Sequence, residues 1–232
     1  MPARVKPVRR RVRQAVGTAA RGSEQLRFHL SQEAARIMAE EGVGDYQAAK
    51  RKAAQRLDLP DGQRLPSNRE VEAALRRHLQ LFHGAHLDER LHRLRTLAHE
   101  AMRFLADYAP LLTGPVLSGT VTASSPIQIH VCADNPEDIA LLLQSHRIPY
   151  DQQDKRLRYG GERYRSVPAY AFRAEDTTVE LCVFSPAERR EAPLSPVDGR
   201  PMPRAGLSEV AALIKSSLTP QAHTRGSPPD RL

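Results

Sequence analysis

The chain has 232 residues, 40% of them hydrophobic and 27% charged, which is enough apolar material for a buried core and excludes collagen-like, low-complexity and wholly disordered chains. Its formal net charge is +8, but Arg4, Lys6, Arg9, Arg10, Arg11, Arg13 and Arg21 lie in the first 22 residues with no acid among them, so the remaining body is close to neutral. No apolar run is longer than that at Ile139-Ala140-Leu141-Leu142-Leu143, well short of the roughly 18 residues a membrane-spanning helix needs.

Residues 1–22 read as a disordered basic tail, with no apolar stretch after its charges of the kind a secretory signal carries. Such a tail attracts RNA, DNA or acidic surfaces through counterion release, without sequence selectivity. Residues 23–108 read as an all-helical arm. Leu26, Leu30, Ala34, Ile37 and Met38 form one apolar stripe, closed by Gly42 and Gly44. Asp45 caps a second helix with Tyr46, Ala49, Ala53 and Leu57 on one side. Ser67-Asn68-Arg69-Glu70 is a capping box that opens a third helix, with Val71, Leu75, Leu79 and Phe82 facing inward. A fourth helix is expected from Leu87, Leu91, Leu94, Ala98, Ala101 and Leu105, ending before Pro110.

Beyond Pro110 the period changes. Ile127, Ile129 and Val131 alternate with Gln128, His130 and Cys132, a strand pattern. Asn135-Pro136-Glu137 supplies an N-cap, a proline at the first helical position and an acidic first turn for a helix reaching about Arg147. Two or three strands are expected, at 156–159, 166–173 and 178–184, with Asp176 in the turn between the last two. A proline-rich loop follows, with a tight turn at Pro196-Val197-Asp198-Gly199. Residues 207–218 read as a final helix, and 219–232 as a second disordered tail. Helices first and a β-α-β-β half after them place the chain among α+β or α/β proteins with a helical arm.

Chemistry-bearing residues concentrate at Gly114-Pro115-Val116-Leu117-Ser118-Gly119-Thr120-Val121-Thr122-Ala123-Ser124-Ser125-Pro126-Ile127-Gln128-Ile129. This stretch resembles the signature of the nucleotidyltransferase-like superfamily, the fold of DNA polymerase beta. That signature runs from a Gly-Ser turn through a Gly-Thr segment to two aspartates on a strand. The resemblance covers about 105–185. It implies an α+β domain at 109–218 with a mixed sheet and flanking helices, Gly114, Ser118, Gly119 and Thr120 in contact with nucleotide phosphates, and Glu180 at the third metal-binding carboxylate. The departures from the pattern decide the expected function. Proline stands at 115 in place of the turn serine, and Pro126 and Gln128 replace the two strand aspartates. Magnesium requires anionic oxygens in near-octahedral geometry, and two-metal transfer requires both reacting oxygens clamped. One carboxylate among the matching positions does not meet that requirement.

The Tyr46–Ala54 helix, Ser118-Gly119-Thr120-Val121-Thr122 and Leu194-Ser195-Pro196-Val197-Asp198-Gly199-Arg200-Pro201-Met202 also resemble a group of proteobacterial proteins that join a helical arm to a nucleotidyltransferase-like half. Some of these carry the name of the muramate–alanine ligase. A ligase of that kind needs an ATP-cradling glycine-rich loop with Gly-Lys-Ser/Thr, which this sequence does not contain.

Other side chains are read more plainly. Asp134, Glu137 and Asp138 fit the start of a helix better than a metal site. His78, His83, His86, His92 and His99 line a polar helix face, and His130 is a strand residue rather than a base. Cys132 and Cys182 are small core fillers. They form neither a disulfide framework nor a zinc site and point to a reducing cytoplasm. The expectation is therefore a catalytically degenerate member of the fold, a binding or regulatory module with no cofactor. Magnesium and a nucleoside triphosphate enter only with the alternative of a divergent active transferase. A third alternative is an RNA- or DNA-binding protein that uses Arg9, Arg10, Arg11, Arg13, Lys50, Arg51 and Lys52, the last three with Arg56 on one helix face. Either a nucleic acid or a protein partner is compatible with this composition.

Overall fold

The structure, a computed structural model, describes residues 9–60 and 64–217. Residues 1–8 and 218–232, which hold the outer part of the first expected tail and the whole of the second, lie outside the described residues.

Three helices build the arm. α1 runs Arg9–Glu41 and therefore begins well inside the segment expected to be disordered; no proline interrupts it after Pro7. It stops where Gly42 turns to φ 70°. α2 (Tyr46–Arg56) starts at Asp45, whose carboxylate accepts from the Ala48 amide at 2.7 Å. α3 (Asn68–Phe104) opens on the Ser67–Glu70 capping box, which closes in both directions. It then runs 37 residues without a break, so the third and fourth expected helices are one. Gly84 costs that helix only about 1 kcal/mol, too little to end it when buried residues anchor it farther out on both sides, Val71, Leu75 and Leu79 before it and Leu94, Ala98 and Met102 after it. Phe82, expected to face inward, is 69% exposed, whereas Leu79 on the same stripe is buried.

The second half is a five-stranded mixed sheet in the order β1-β2-β5-β4-β3. Its strands are β1 (Leu111–Thr113), β2 (Ile127–Cys132), β3 (Tyr150–Arg158), β4 (Tyr164–Ala174) and β5 (Thr177–Phe184). β2 and β5 are parallel and the remaining pairs antiparallel. β2 reaches β5 through α5 (Glu137–Ser145) and the β3–β4 hairpin. A five-residue helix, α4 (Gly114–Ser118), joins β1 to the loop before β2, and α6 (Leu207–Ser217) closes the described chain.

The alternation on β2 divides the sheet into two faces. Ile127, Ile129 and Val131, with Val179, Leu181 and Val183 of β5, pack against Leu94, Ala98 and Met102 of α3, Ile139 and Leu143 of α5 and Val210 of α6. That is the main core of this half; the arm has its own, built on Leu30, Ile37, Val71 and Leu75. The opposite face carries a smaller cluster of Val167, Ala169, Cys182 and Phe184. The 185–206 segment returns to the sheet at β1, where Leu112 and Ala205 exchange backbone hydrogen bonds at 2.8 and 2.9 Å. Among the described residues, no helix is long and apolar enough to cross a membrane.

Candidate functional site

The site sits on the sheet face away from the main core. β2 and β5 run side by side in parallel register, with Gln128 opposite Glu180 and His130 opposite Cys182. Paired residues on neighbouring strands point to the same face, so these four side chains form one row. β1 pairs with β2 so that Thr113 lies opposite Gln128, which brings Gly114 over the Gln128 side chain. A Cβ added at Gly114, where φ is 71°, would lie 2.1 Å from Gln128 Oε1. Any other residue there would take up a left-handed backbone and push the Gln128 amide aside. Gly114, Gln128 and Glu180, the positions singled out by sequence, thus converge at one place.

Their chemistry is not that of a metal centre. The Glu180 carboxylate, on a side chain 12% exposed, accepts a hydrogen bond from the ammonium of Lys155 on β3. That internal cation takes the place on the carboxylate that a metal would need. Gln128 carries no charge and Pro126, half-buried at the start of β2, offers no side-chain ligand. The residues present do not fit a magnesium pair. Among the described residues, no group of three His, Cys, Asp or Glu side chains could hold a metal ion.

Three of the four expected phosphate contacts, Ser118, Gly119 and Thr120, are also committed elsewhere. The amides of Gly119 and Thr120 both donate to the Pro115 carbonyl, at 2.8 and 3.1 Å. The Ser118 and Thr120 hydroxyls share a hydrogen bond of 2.8 Å. Arginines of α3 hold the same region from behind: Arg95 reaches the Val116 and Leu117 carbonyls at 3.3 and 3.4 Å, and Arg90 the Ala123 carbonyl at 2.7 Å. The turn that resembles a phosphate cradle is instead closed on itself.

His130 is 5% exposed, with its ring 4.7 Å from that of Phe184, and its Nδ1 has no hydrogen-bond partner among the described residues. Burial, reinforced by the positive charges of Arg204 and Lys155, pushes its pKa down to about 4. It is a packed neutral imidazole at neutral pH. Burial also pushes the Cys182 thiol up to about 12, the opposite of what a nucleophilic cysteine needs; Cys132 is half-buried and likewise free. Asp134, Glu137 and Asp138 surround the first turn of α5, although Asn135 contributes its backbone carbonyl there and not a side-chain cap. His92 bonds Ser217 Oγ at 2.9 Å and His78 approaches Glu40 at 3.8 Å.

The basic face expected on α2 is largely neutralised. Lys50 is 4% exposed and donates to Asn68 Oδ1 at 2.8 Å; burial lowers its pKa. Lys52 pairs with Glu41 at 2.5 Å, and Arg56 with Glu41 and Glu33 at 2.6 and 3.3 Å. Arg51 and Lys52 are both exposed, Lys52 with its charge already paired. The side chains of Arg9, Arg10, Arg11 and Arg13 lie outside the described residues. Lys155 and Arg204 were not foreseen from sequence. Lys155 stands in a run of polar residues with no alternation, and Arg204 in a loop, so neither carries a periodic signal.

No family model, curated protein or solved structure matches this chain.

Proposed function

We propose that this chain is a nucleotidyltransferase-like domain on a helical arm that has given up metal-dependent nucleotidyl transfer and serves as a binding or regulatory module. The Lys155–Glu180 ion pair carries the reading. The one carboxylate at a matching position already has a cation, supplied by the chain itself. Pro126 and Gln128 add no negative charge beside it, and the turn amides at 119 and 120 are spent on Pro115. The convergence of Gly114, Gln128 and Glu180 supports the relationship to the superfamily; their chemistry argues against its reaction.

The test is incorporation of label from radioactive ATP, GTP, CTP and UTP, with magnesium or manganese, into protein, RNA and small acceptors. No transfer is expected, and calorimetric titration with magnesium should show no site dependent on Glu180. Label transfer that disappears in Glu180→Ala would overturn the proposal and establish an active transferase.

A further inference from the structure

The two edges of the sheet are finished differently. At one edge the three-residue β1 is covered by the returning chain, through the Leu112–Ala205 bridge and a bond of 2.9 Å from Thr113 Oγ1 to the Pro203 carbonyl. At the other, the nine-residue β3 pairs with β4 along its whole length and with no other strand among the described residues. Outside the β3–β4 ladder, the Arg158 carbonyl accepts from the Leu194 amide at 2.7 Å. In an antiparallel pair alternate residues turn their N–H and C=O groups outward. Tyr150, Gln152, Asp154 and Arg156 therefore present theirs at the free edge. The pairing of Asp154 with Pro168, which has no N–H to give, fits this phase.

The charges along this edge are sorted. Asp151 and Asp154 occupy the first half, Lys155, Arg156 and Arg158 the second. Two such strands laid parallel would set like charges together, whereas laid antiparallel they set opposite charges together. A two-fold axis perpendicular to the sheet pairs only residues of equal parity, which leaves few registers. Centring on Asp154 or on Lys155 places a charge against its own copy. Centring on Gln152 or Gln153 places a neutral residue on the axis, but only Gln153 also brings opposite charges together. It aligns Asp151 with Lys155, Gln152 with Asp154 and Tyr150 with Arg156 of the other copy, and it leaves Arg158, already engaged by Leu194, outside the pairing.

We infer that two copies of this chain associate through antiparallel β3–β3 pairing centred on Gln153, joining their sheets into one of ten strands. Sedimentation velocity on the full chain tests this. Gln153 is exposed, so its substitution leaves the fold intact, which circular dichroism verifies. Wild type should sediment as a dimer. Gln153→Lys and Gln153→Asp should each be monomeric, because each sets like charges across the axis, and an equimolar mixture of the two should sediment as a dimer again. A monomeric wild type, either single variant as dimeric as wild type, or a mixture that stays monomeric would overturn the inference.

Discussion

Gly114 lies so close to Gln128 that a side chain at position 114 would have to displace the Gln128 amide. A Cβ there would fall 2.1 Å from Gln128 Oε1 and 3.0 Å from its Cδ, on a backbone held at φ 71°. Two costs are therefore separable. Gly114→Ala should lose about 2–3 kcal/mol in urea denaturation, part from the left-handed backbone and part from displacing Gln128. In the Gln128→Ala background the clash is gone, and the same change should cost only about 1 kcal/mol. Equal costs in both backgrounds would mean that the Gln128 side chain does not lie over position 114 in solution.

The arm is tied to the second half by a relay of two hydrogen bonds. Lys50 Nζ donates to Asn68 Oδ1 at 2.8 Å, and Asn68 Nδ2 donates to the Pro196 carbonyl at 2.7 Å. Lys50 is almost wholly buried, so its ammonium depends on that acceptor. Asn68→Ala should cost about 2–3 kcal/mol, because it leaves a buried cation unpaired. Lys50→Met removes the charge along with the bond and should cost less. Adding Asn68→Ala to Lys50→Met should then add little, a coupling that chemical denaturation of the four proteins measures.

The elements that could be read from the sequence are those whose signal is local. Asp45 and Ser67 announce α2 and α3 because capping is a contact three residues away, and β2 announces itself by alternation. The side-by-side placement of Gln128 and Glu180 was legible only through the superfamily resemblance, since nothing local pairs β2 with β5. β1 and α4 are too short, at three and five residues, to show any period. The first half of β3 is polar on both faces, so Lys155 was hidden although it sets the charge of the site. A helix that continues through Gly84 is decided by packing on either side, not by the glycine.

Phe82 and Leu79 give that last point a measurable form. Both belong to the apolar stripe of α3, yet Phe82 is 69% exposed and Leu79 only 3%. Leu79→Ala should cost about 2–4 kcal/mol, as a cavity in the arm core does. Phe82→Ser, which gives up mainly a surface contact with the His78 ring at 4.7 Å, should stay within about 0.5 kcal/mol. A large loss at Phe82 would place that ring against a surface in solution.

His130 should set the acid limit of the fold. Its folded pKa is depressed to about 4, first by burial and then by Arg204 and Lys155, against roughly 6.5 in an unfolded chain. Between these values the unfolded state binds the extra proton, so stability falls as pH drops from about 6.5 toward 4 and levels off below that from this group. Above about 6.5 the imidazole is neutral in both states and contributes no pH dependence. The depression corresponds to a loss of up to about 3 kcal/mol, since each pH unit between the two pKa values is worth about 1.4 kcal/mol. His130→Leu removes both the titration and the unpartnered Nδ1. Urea denaturation at a series of pH values should therefore show the variant losing markedly less stability than wild type across that window. Parallel curves for the two proteins would mean that His130 takes up its proton in the folded state as easily as in the unfolded one, and the sheet face around Phe184 would then have to be open to water.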